Sequence, residues 1–311
     1  MAKGVDGLPR DAATEHPHDM KFGDHLLPFC ALVLLPGVAA AQTTNSWLAG
    51  NGNHWTNSAN WSLGVVPDSS HEALVPGTNK NEYVGGDIVI DGDAHARNIT
   101  ANAGTYAFII TNGGTLTLHL SGNSIFTAGT GTRAFAIHAG SALIDASGGG
   151  NCIRAFLNVH EGAMLSGFDD FRTGATVMID GGVWTPGSLA AAGTGKVVLN
   201  QAHVQMKRGT LRLALFGDGV ARCFEFVTKE NSSSLDLSGG NIVLVPQDGY
   251  VPRAGHSYVL WKETVPALAI VAGDGRNIAV EGHPGIALDL RAWSSEGRIT
   301  IGNPGTAIVV R

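Results

Sequence analysis

VMIDGG at residues 177–182 is the clearest copy of a pattern that decides the fold of this chain. Apolar residues alternate with others over a short stretch, a polar residue follows, and a glycine usually stands within two positions of it. The other copies are IVIDGD at 88–93, IITNGG at 109–114, FAIHAG at 135–140, LNVHEG at 157–162 and VVLNQA at 197–202. Alternation over about five residues is too short for a helix and suits a strand.

The polar residues that close these strands recur at intervals near twenty residues. They are Asp91, Asn112, His138, His160, Asp180 and Asn200. A fixed period of this size is typical of solenoids. The sequence therefore predicts an all-β fold, a parallel β-helix (β-solenoid), in which each repeat forms one coil and these six residues share one corner. The longest step, from Asn112 to His138, predicts an enlarged coil.

Composition agrees with a β-rich chain and excludes several other classes. Glycine contributes 43 of 311 residues and charged residues only 15%, which favours turns and small strand residues over long surface helices. A hydrophobic share of 44% with a net charge of −6 argues against disorder. No basic footprint for nucleic acid is present, and the mature chain has no apolar stretch long enough to cross a membrane.

Residues 20–41 have the layout of a secretory signal peptide. Lys21 supplies a positive start, an apolar core runs from Leu26 to Val38, and Ala39-Ala40-Ala41 forms a small-residue cleavage site before Gln42. A buried hydrophobic segment is the alternative. The remaining predicted divisions are a non-native upstream extension at 1–19, an N-terminal cap at 42–83, solenoid coils at 84–215 and a β-rich closing region at 216–311. Cys152 and Cys223 remain after cleavage, and a disulfide between them is left open.

Three tryptophans lie close together near the predicted mature N-terminus, among Asn, Gly and Ser. Trp55, Asn60, Trp61, Gly64 and Pro67 form a W-x-x-x-x-N-W segment with a following Gly and Pro, preceded by Trp47. This segment resembles the start of secreted bacterial β-solenoid surface proteins, namely autotransporter passengers and exosortase-sorted proteins. It is interpreted as a cap over the first coil, because an open solenoid end exposes core and unpaired strand edges. A platform that stacks on sugar rings is the alternative.

The phrase GGNIVLVPQDGYVPRAGHSYVLW at 239–261 also resembles that family, in which a similar phrase closes the solenoid. The resemblance further implies a C-terminal barrel or a Pro-Glu-Pro sorting signal, and PGTAIVVR at 304–311 matches neither. The chain is therefore expected to be a piece of a longer reading frame or a released protein. Either way, the resemblance implies a secreted or cell-surface location on a bacterium.

The polar row at the corner has two interpretations. Asp and Asn tolerate left-handed backbone and suit turns, so the row can be a turn rule. Alternatively, His160 and Asp180, one coil apart, would touch and form a His–carboxylate base. Variation among Asp, Asn and His favours the turn rule. Asp91-Gly92-Asp93 lacks the other ligands of a calcium loop. The sequence thus predicts no catalytic residue, no cofactor and no metal ligand.

Three functions remain for such a chain. The first is a non-enzymatic, adhesin-like or matrix-like surface protein whose partner is a polysaccharide or another cell. The second is a polysaccharide lyase or hydrolase, for which Arg133, Arg154 and Arg172 fall in the coils without a carboxylate cluster. The third is a fibre subunit that joins coil end to coil end, against which the tryptophan cap argues.

Overall fold

The structure is a computed structural model of the chain. It describes residues 43–48, 51–75, 87–101, 108–121, 125–128, 135–138, 140–148, 152–167, 170–171, 176–186, 196–217, 221–223, 225–228, 233–263, 269–271 and 277–302. The predicted upstream extension and signal peptide lie outside these residues, as do Arg133 and Arg172. The described part of the chain is mostly β-strand, as the sequence predicts, with one short α-helix and one 3-10 turn.

The strands are short, as the alternating pattern predicts. The first thirteen are β1 Thr43–Ser46, β2 His71–Val75, β3 Ile88–Ile90, β4 Asp93–Ala96, β5 Asn98–Ala101, β6 Phe108–Ile110, β7 Thr115–Ser121, β8 Ile125–Ala128, β9 Phe135–Ile137, β10 Ser141–Gly148, β11 Cys152–His160, β12 Met164–Gly167 and β13 Asp170–Phe171. The others are β14 Thr176–Pro186, β15 Lys196–Leu199, β16 His203–Gly217, β17 Ala221–Cys223, β18 Glu225–Thr228, β19 Ser234–Asp236, β20 Asn241–Pro246, β21 Ser257–Val259, β22 Trp261–Glu263, β23 Ala269–Val271, β24 Ile278–Val280, β25 Leu288–Asp289 and β26 Arg298–Ile301. The 3-10 turn is Ser58–Asn60 and the helix α1 is Trp293–Glu296.

Parallel pairing arranges most of these strands in three rows. Row 1 consists of β3, β6, β9, the end of β11, the start of β14, the start of β16, β19 and β23. Row 2 consists of β4, β7, β10, β12, the end of β14, the middle of β16, β20 and β24. Row 3 consists of β1, β2, β5, β8, the start of β11, β13, β15, β18 and β22.

From β3 onward the chain passes through row 1, row 2 and row 3 in turn. Each such passage, called a coil below, adds one strand or part of a strand to each row. In row 1, Ile90 pairs with Ile110, which pairs with Ile137; Ile137 then pairs with Val159, and Val159 with Ile179. The step between Ile110 and Ile137 is longer than its neighbours in row 1. The enlarged repeat that was predicted between Asn112 and His138 is therefore confirmed.

The core lies between the rows because alternate residues of each strand point inward. The inward column of row 1 is apolar and almost fully buried, with Ile90, Ile110, Ile137, Val159, Ile179 and Met206 each at most 1% exposed. Row 2 contributes Leu116, Leu118, Leu165, Trp184 and Leu211 in the same way. A continuous buried column of this kind is why β-branched residues and leucine recur at every second position.

Small residues occupy the corner between rows 1 and 2. The residues that precede the first seven of the eight row 2 segments are Gly92, Gly114, Gly140, Ala163, Gly182, Gly209 and Gly240, whereas Asn277 precedes β24. At Gly114 a Cβ would stand 2.4 Å from the carbonyl oxygen of Ile90, and at Gly209 it would stand 2.4 Å from that of Gly182. At Gly114 and Gly209, glycine is therefore required by the close approach of successive turns.

The tryptophan segment packs beneath the first strand of row 1. Residue His54 pairs in parallel with Val89, and the backbone N–H of Trp55 donates to the Val89 carbonyl at 2.8 Å. All three tryptophans are buried. The ring of Trp61 makes edge contacts with those of Trp47 and Trp55, at centroid distances of 5.1 and 4.6 Å.

Two buried asparagines hold the loops of this segment. Asn60, the asparagine of the W-x-x-x-x-N-W phrase, accepts from the backbone N–H of Asn51 at 3.0 Å and donates to the His54 carbonyl at 3.1 Å. Asn45 accepts from the backbone N–H of Leu63 and donates to the Val65 carbonyl. Each asparagine thus satisfies backbone groups that the loops leave unpaired.

The last part of the described chain is antiparallel. Strands β21 and β25 both pair with β26, and the buried Trp293 of α1 packs with this small sheet. A Cβ on Gly297 would stand 2.7 Å from the ring of Trp261 in the last row 3 strand, so this turn lies directly against the parallel rows.

Candidate functional site

Four of the six residues in the predicted polar row lie at one corner, a fifth is offset by one residue, and the sixth lies elsewhere. Asp91, His138, His160 and Asp180 each follow the last row 1 residue of their coil, and the register pairs His160 with Asp180. Thr111 occupies this place in the second coil, and Asn112 lies one residue further on. Of the six marked residues, all of which the structure describes, Asn112 alone has a positive φ, of 52°. The left-handed turn rule therefore explains Asn112 and not the others.

The prediction for Asn200 is wrong. Asn200 follows β15, which belongs to row 3 and pairs with β13 and β18. The row 1 strand of that coil is the start of β16, so Lys207 and Arg208 follow the row 1 residue Met206 there. VVLNQA lacks the glycine that the other copies carry, whereas Gly209 follows Arg208. The glycine was the signal that would have placed the corner at residues 207–209.

His138 and His160 stack on each other along the corner. Their ring centroids are 4.1 Å apart and the ring planes differ by only 5°. Burial is the main cause that lowers the pKa of His160 below its ordinary value; the neighbouring His138 lowers it further and Asp180 opposes the shift. His160 is therefore held as a neutral imidazole more strongly than a free histidine is.

Asp180 forms an ion pair with the next coil. Arg208 donates from Nε to the Asp180 carboxylate at 2.6 Å, and its Nη1 lies 3.8 Å from the carboxylate of Glu161. The hydrogen bond from Arg208 holds the pKa of the Asp180 carboxyl below its ordinary value. Arg208 is 62% exposed and Glu161 81% exposed, so this group stands in solvent. We call His138, His160, Glu161, Asp180 and Arg208 the corner cluster.

The corner cluster contains two imidazoles and two carboxylates, and its geometry favours stacking. The lowered pKa of Asp180 means that its carboxylate stays ionised and is a weak base. His160 has a neutral nitrogen that can act as a base. Efficient acid–base catalysis, however, also needs an enclosed site that excludes water and holds the substrate. The exposed side chains of Arg208 and Glu161 do not provide such an enclosure.

Other polar side chains also bond from coil to coil. His54 Nδ1 lies 3.0 Å from the carboxylate of Asp91. On the outward face of row 2, the Thr115 hydroxyl donates to Asp93 at 2.5 Å, and on row 3 the Thr100 hydroxyl donates to Glu72 at 2.8 Å. Between the described side chains, bonding along the stacking direction thus recurs on all three rows.

Cys152 and Cys223 lie on different strands, β11 and β17. Cys152 starts β11 in row 3, and two further row 3 strands, β13 and β15, intervene before β18, which follows Cys223. Three strand spacings between β11 and β18 amount to about 14 Å.

Within the described ranges, no group of three or more His, Cys, Asp or Glu side chains is placed to hold a metal ion, and no helix has the length and apolar character needed to cross a membrane. No protein-family model, curated protein or solved structure matches this chain.

Proposed function

We propose that this chain forms a parallel β-helix that acts as a non-catalytic scaffold, exported to the surface of a bacterium or released from it. The outward polar residues support this proposal most directly. Their bonds run from one coil to the next, and the corner cluster stands in solvent. Such contacts stabilise a stack and keep a long β-surface soluble, which suits the presentation of a surface to a partner.

The packing of the tryptophan segment supports a cap at the first coil. Residues 53–55 take the position that a preceding row 1 strand would take, because His54 pairs with Val89 in parallel. Buried rings cannot stack on a sugar, and all three tryptophans are at most 3% exposed. A covered edge also disfavours end-to-end growth of a fibre from this side.

The partner is proposed to be a polysaccharide or a component of another cell surface. The tested protein is the chain from Gln42 to Arg311, applied to acidic and neutral polysaccharides with and without calcium. We expect binding to one class of glycan without release of reducing ends or of unsaturated products. Charge-reversing variants on the outward face of row 2, on the outward face of row 3 and at the corner then show which surface makes the contact.

A polysaccharide-active enzyme is the second candidate, and the pairing of His160 with Asp180 in the register is the observation that favours it. The same screen separates the two functions. Turnover that is lost in His160→Ala and in Asp180→Asn, but kept in a matched Asp91→Asn variant, would establish the corner cluster as an active site. Turnover that survives all three variants would point to a site elsewhere on the chain.

A further inference from the structure

A second pair of histidines lies on the outward face of row 2, away from the corner cluster. His95 is on β4 and His119 is on β7; His95 pairs in register with Thr117, so His119 stands two residues further along the same face. The residues beside them, Ala94, Ala96, Leu116 and Leu118, are buried. The alternation therefore directs both imidazoles out of the core.

The two imidazoles meet through their nitrogens. Nδ1 of His95 and Nε2 of His119 are 3.5 Å apart, while the ring centroids are 5.7 Å apart and the planes differ by 23°. The rings thus lie edge to edge, with the two nitrogens between the centroids. A separation of 3.5 Å lies at the long end of hydrogen-bonding distances, so a hydrogen bond between these two nitrogens would be weak.

This separation suits two ligands of one metal ion. Zinc binds imidazole nitrogens at about 2.0–2.1 Å, so two such ligands in a tetrahedral site have nitrogens about 3.3 Å apart. The two lone pairs point toward each other across this gap, so each ring must turn by roughly 35° for both to meet one ion at the tetrahedral angle. The outward face of row 2 leaves room for such a turn, because His95 is exposed and His119 is only half-buried. We propose that His95 and His119 form a two-histidine site for a divalent transition-metal ion, with water in the remaining positions. Imidazole is a ligand for Zn²⁺, Ni²⁺ and Cu²⁺.

The histidines of the corner provide a matched control within the same protein. His138 and His160 also lie on adjacent coils, but their rings are face to face at 4.1 Å and 5°. Lone pairs lie in the ring plane, so those of two parallel stacked rings run side by side and do not converge. Two histidine pairs of equal composition thus differ in the direction of their nitrogens. The site does not depend on the proposed scaffold function.

The test is calorimetric titration of Zn²⁺ into the tag-free chain from Gln42 to Arg311, with the variants His95→Ala and His119→Ala and the double variant His138→Ala/His160→Ala. We expect one zinc ion per chain. Each row 2 variant should weaken its binding at least tenfold, because one of two protein ligands is lost. The corner double variant should bind as the unaltered chain does.

A second readout identifies the ligands and controls for folding. Cu²⁺ bound to the unaltered chain should give an electron paramagnetic resonance spectrum with coupling to nitrogen, which the double variant His95→Ala/His119→Ala should lose. Circular dichroism should show the same strand content in all variants. Zinc binding that persists in the row 2 variants, or that disappears only in the corner double variant, would overturn the proposal. An unaltered chain that binds no zinc would overturn it too.

Discussion

Glycine at the corner between rows 1 and 2 shows how a single position constrains this fold. At Gly114 the three nearest atoms to an added Cβ all belong to the backbone of Ile90 and Asp91, at 2.4–2.9 Å. Backbone atoms of a neighbouring coil cannot turn aside as a side chain can. The requirement for glycine here comes from the stacking of coils and not from a left-handed φ.

Gly114→Ala should therefore destabilise the protein by about 1–3 kcal/mol, the usual cost of forcing atoms into a packed region. Gly285→Ala is the matched control, because a Cβ at that position meets nothing within 4 Å. Chemical denaturation of both variants measures the difference. Equal stability of the two variants would show that the coils can separate enough to accept a methyl group.

His160 should respond in opposite directions to its two neighbours. Removal of the stacked imidazole in His138→Ala should raise the pKa of His160, and removal of the negative charge in Asp180→Asn should lower it further. The C2–H resonance of His160, followed by NMR across the acid range, reports both changes. Shifts in the same direction would mean that burial changes in the variants outweigh the charges.

The sign of the pH effect follows from these directions. The folded pKa of His160 is below its unfolded value, so the unfolded chain binds more protons between the two values, and stability rises with pH across that interval. Asp180 also has a lowered pKa, so its contribution is present above its ordinary value of 3.8 and is lost as the pH falls through the lowered value. Both effects weaken the fold on acidification.

Among the elements, the tryptophan segment is packed around three buried indole rings. Trp61 is 1% exposed, its Nε1–H donates to the Trp55 carbonyl at 2.8 Å, and its ring lies between those of its two partners. The segment thus covers row 1 with aromatic surface, supported by buried Asn45 and Asn60. Its role is measured most directly through stability.

Trp61→Ala should lower the free energy of unfolding by about 3–5 kcal/mol, as for other buried aromatic truncations. Leu63→Ala removes an apolar side chain that is 45% exposed, and it should change stability by about 0.5 kcal/mol or less. Thermal unfolding of the two variants, with glycan binding measured alongside, gives the comparison. Unchanged stability together with lost sugar binding in Trp61→Ala would establish the platform interpretation instead.

At the scale of the whole molecule, export is predicted from residues 20–41. N-terminal sequencing of protein from the envelope or the culture medium of a bacterial host should begin at Gln42, because Ala39-Ala40-Ala41 follows an apolar core. An Ala39→Lys, Ala41→Lys variant should accumulate with its leader attached. Mature protein that begins at Met1 or Met20 would contradict the prediction.

Local patterns predicted most of the fold because they repeat. Five apolar-polar-glycine copies fall on row 1, and the buried column from Ile90 to Ile179 follows from their alternation. The predicted contact of His160 with a neighbouring coil was correct in its register, but the hydrogen bond to Asp180 comes from Arg208, which no motif marked. The contact of His95 with His119 also joins two coils. No local sequence pattern predicts which side chains meet across coils.

The sequence by itself determined that strands of alternating burial recur with glycine-closed turns, because side-chain direction in a strand and close backbone approach are local requirements. Only the tertiary structure decided which row each strand joins. VVLNQA at 197–202 reads like the row 1 copies and yet belongs to row 3, since parallel pairing depends on the length of the intervening chain and on the register of its neighbours. That choice placed Arg208, and not Asn200, beside Asp180, and with it the chemistry of the corner.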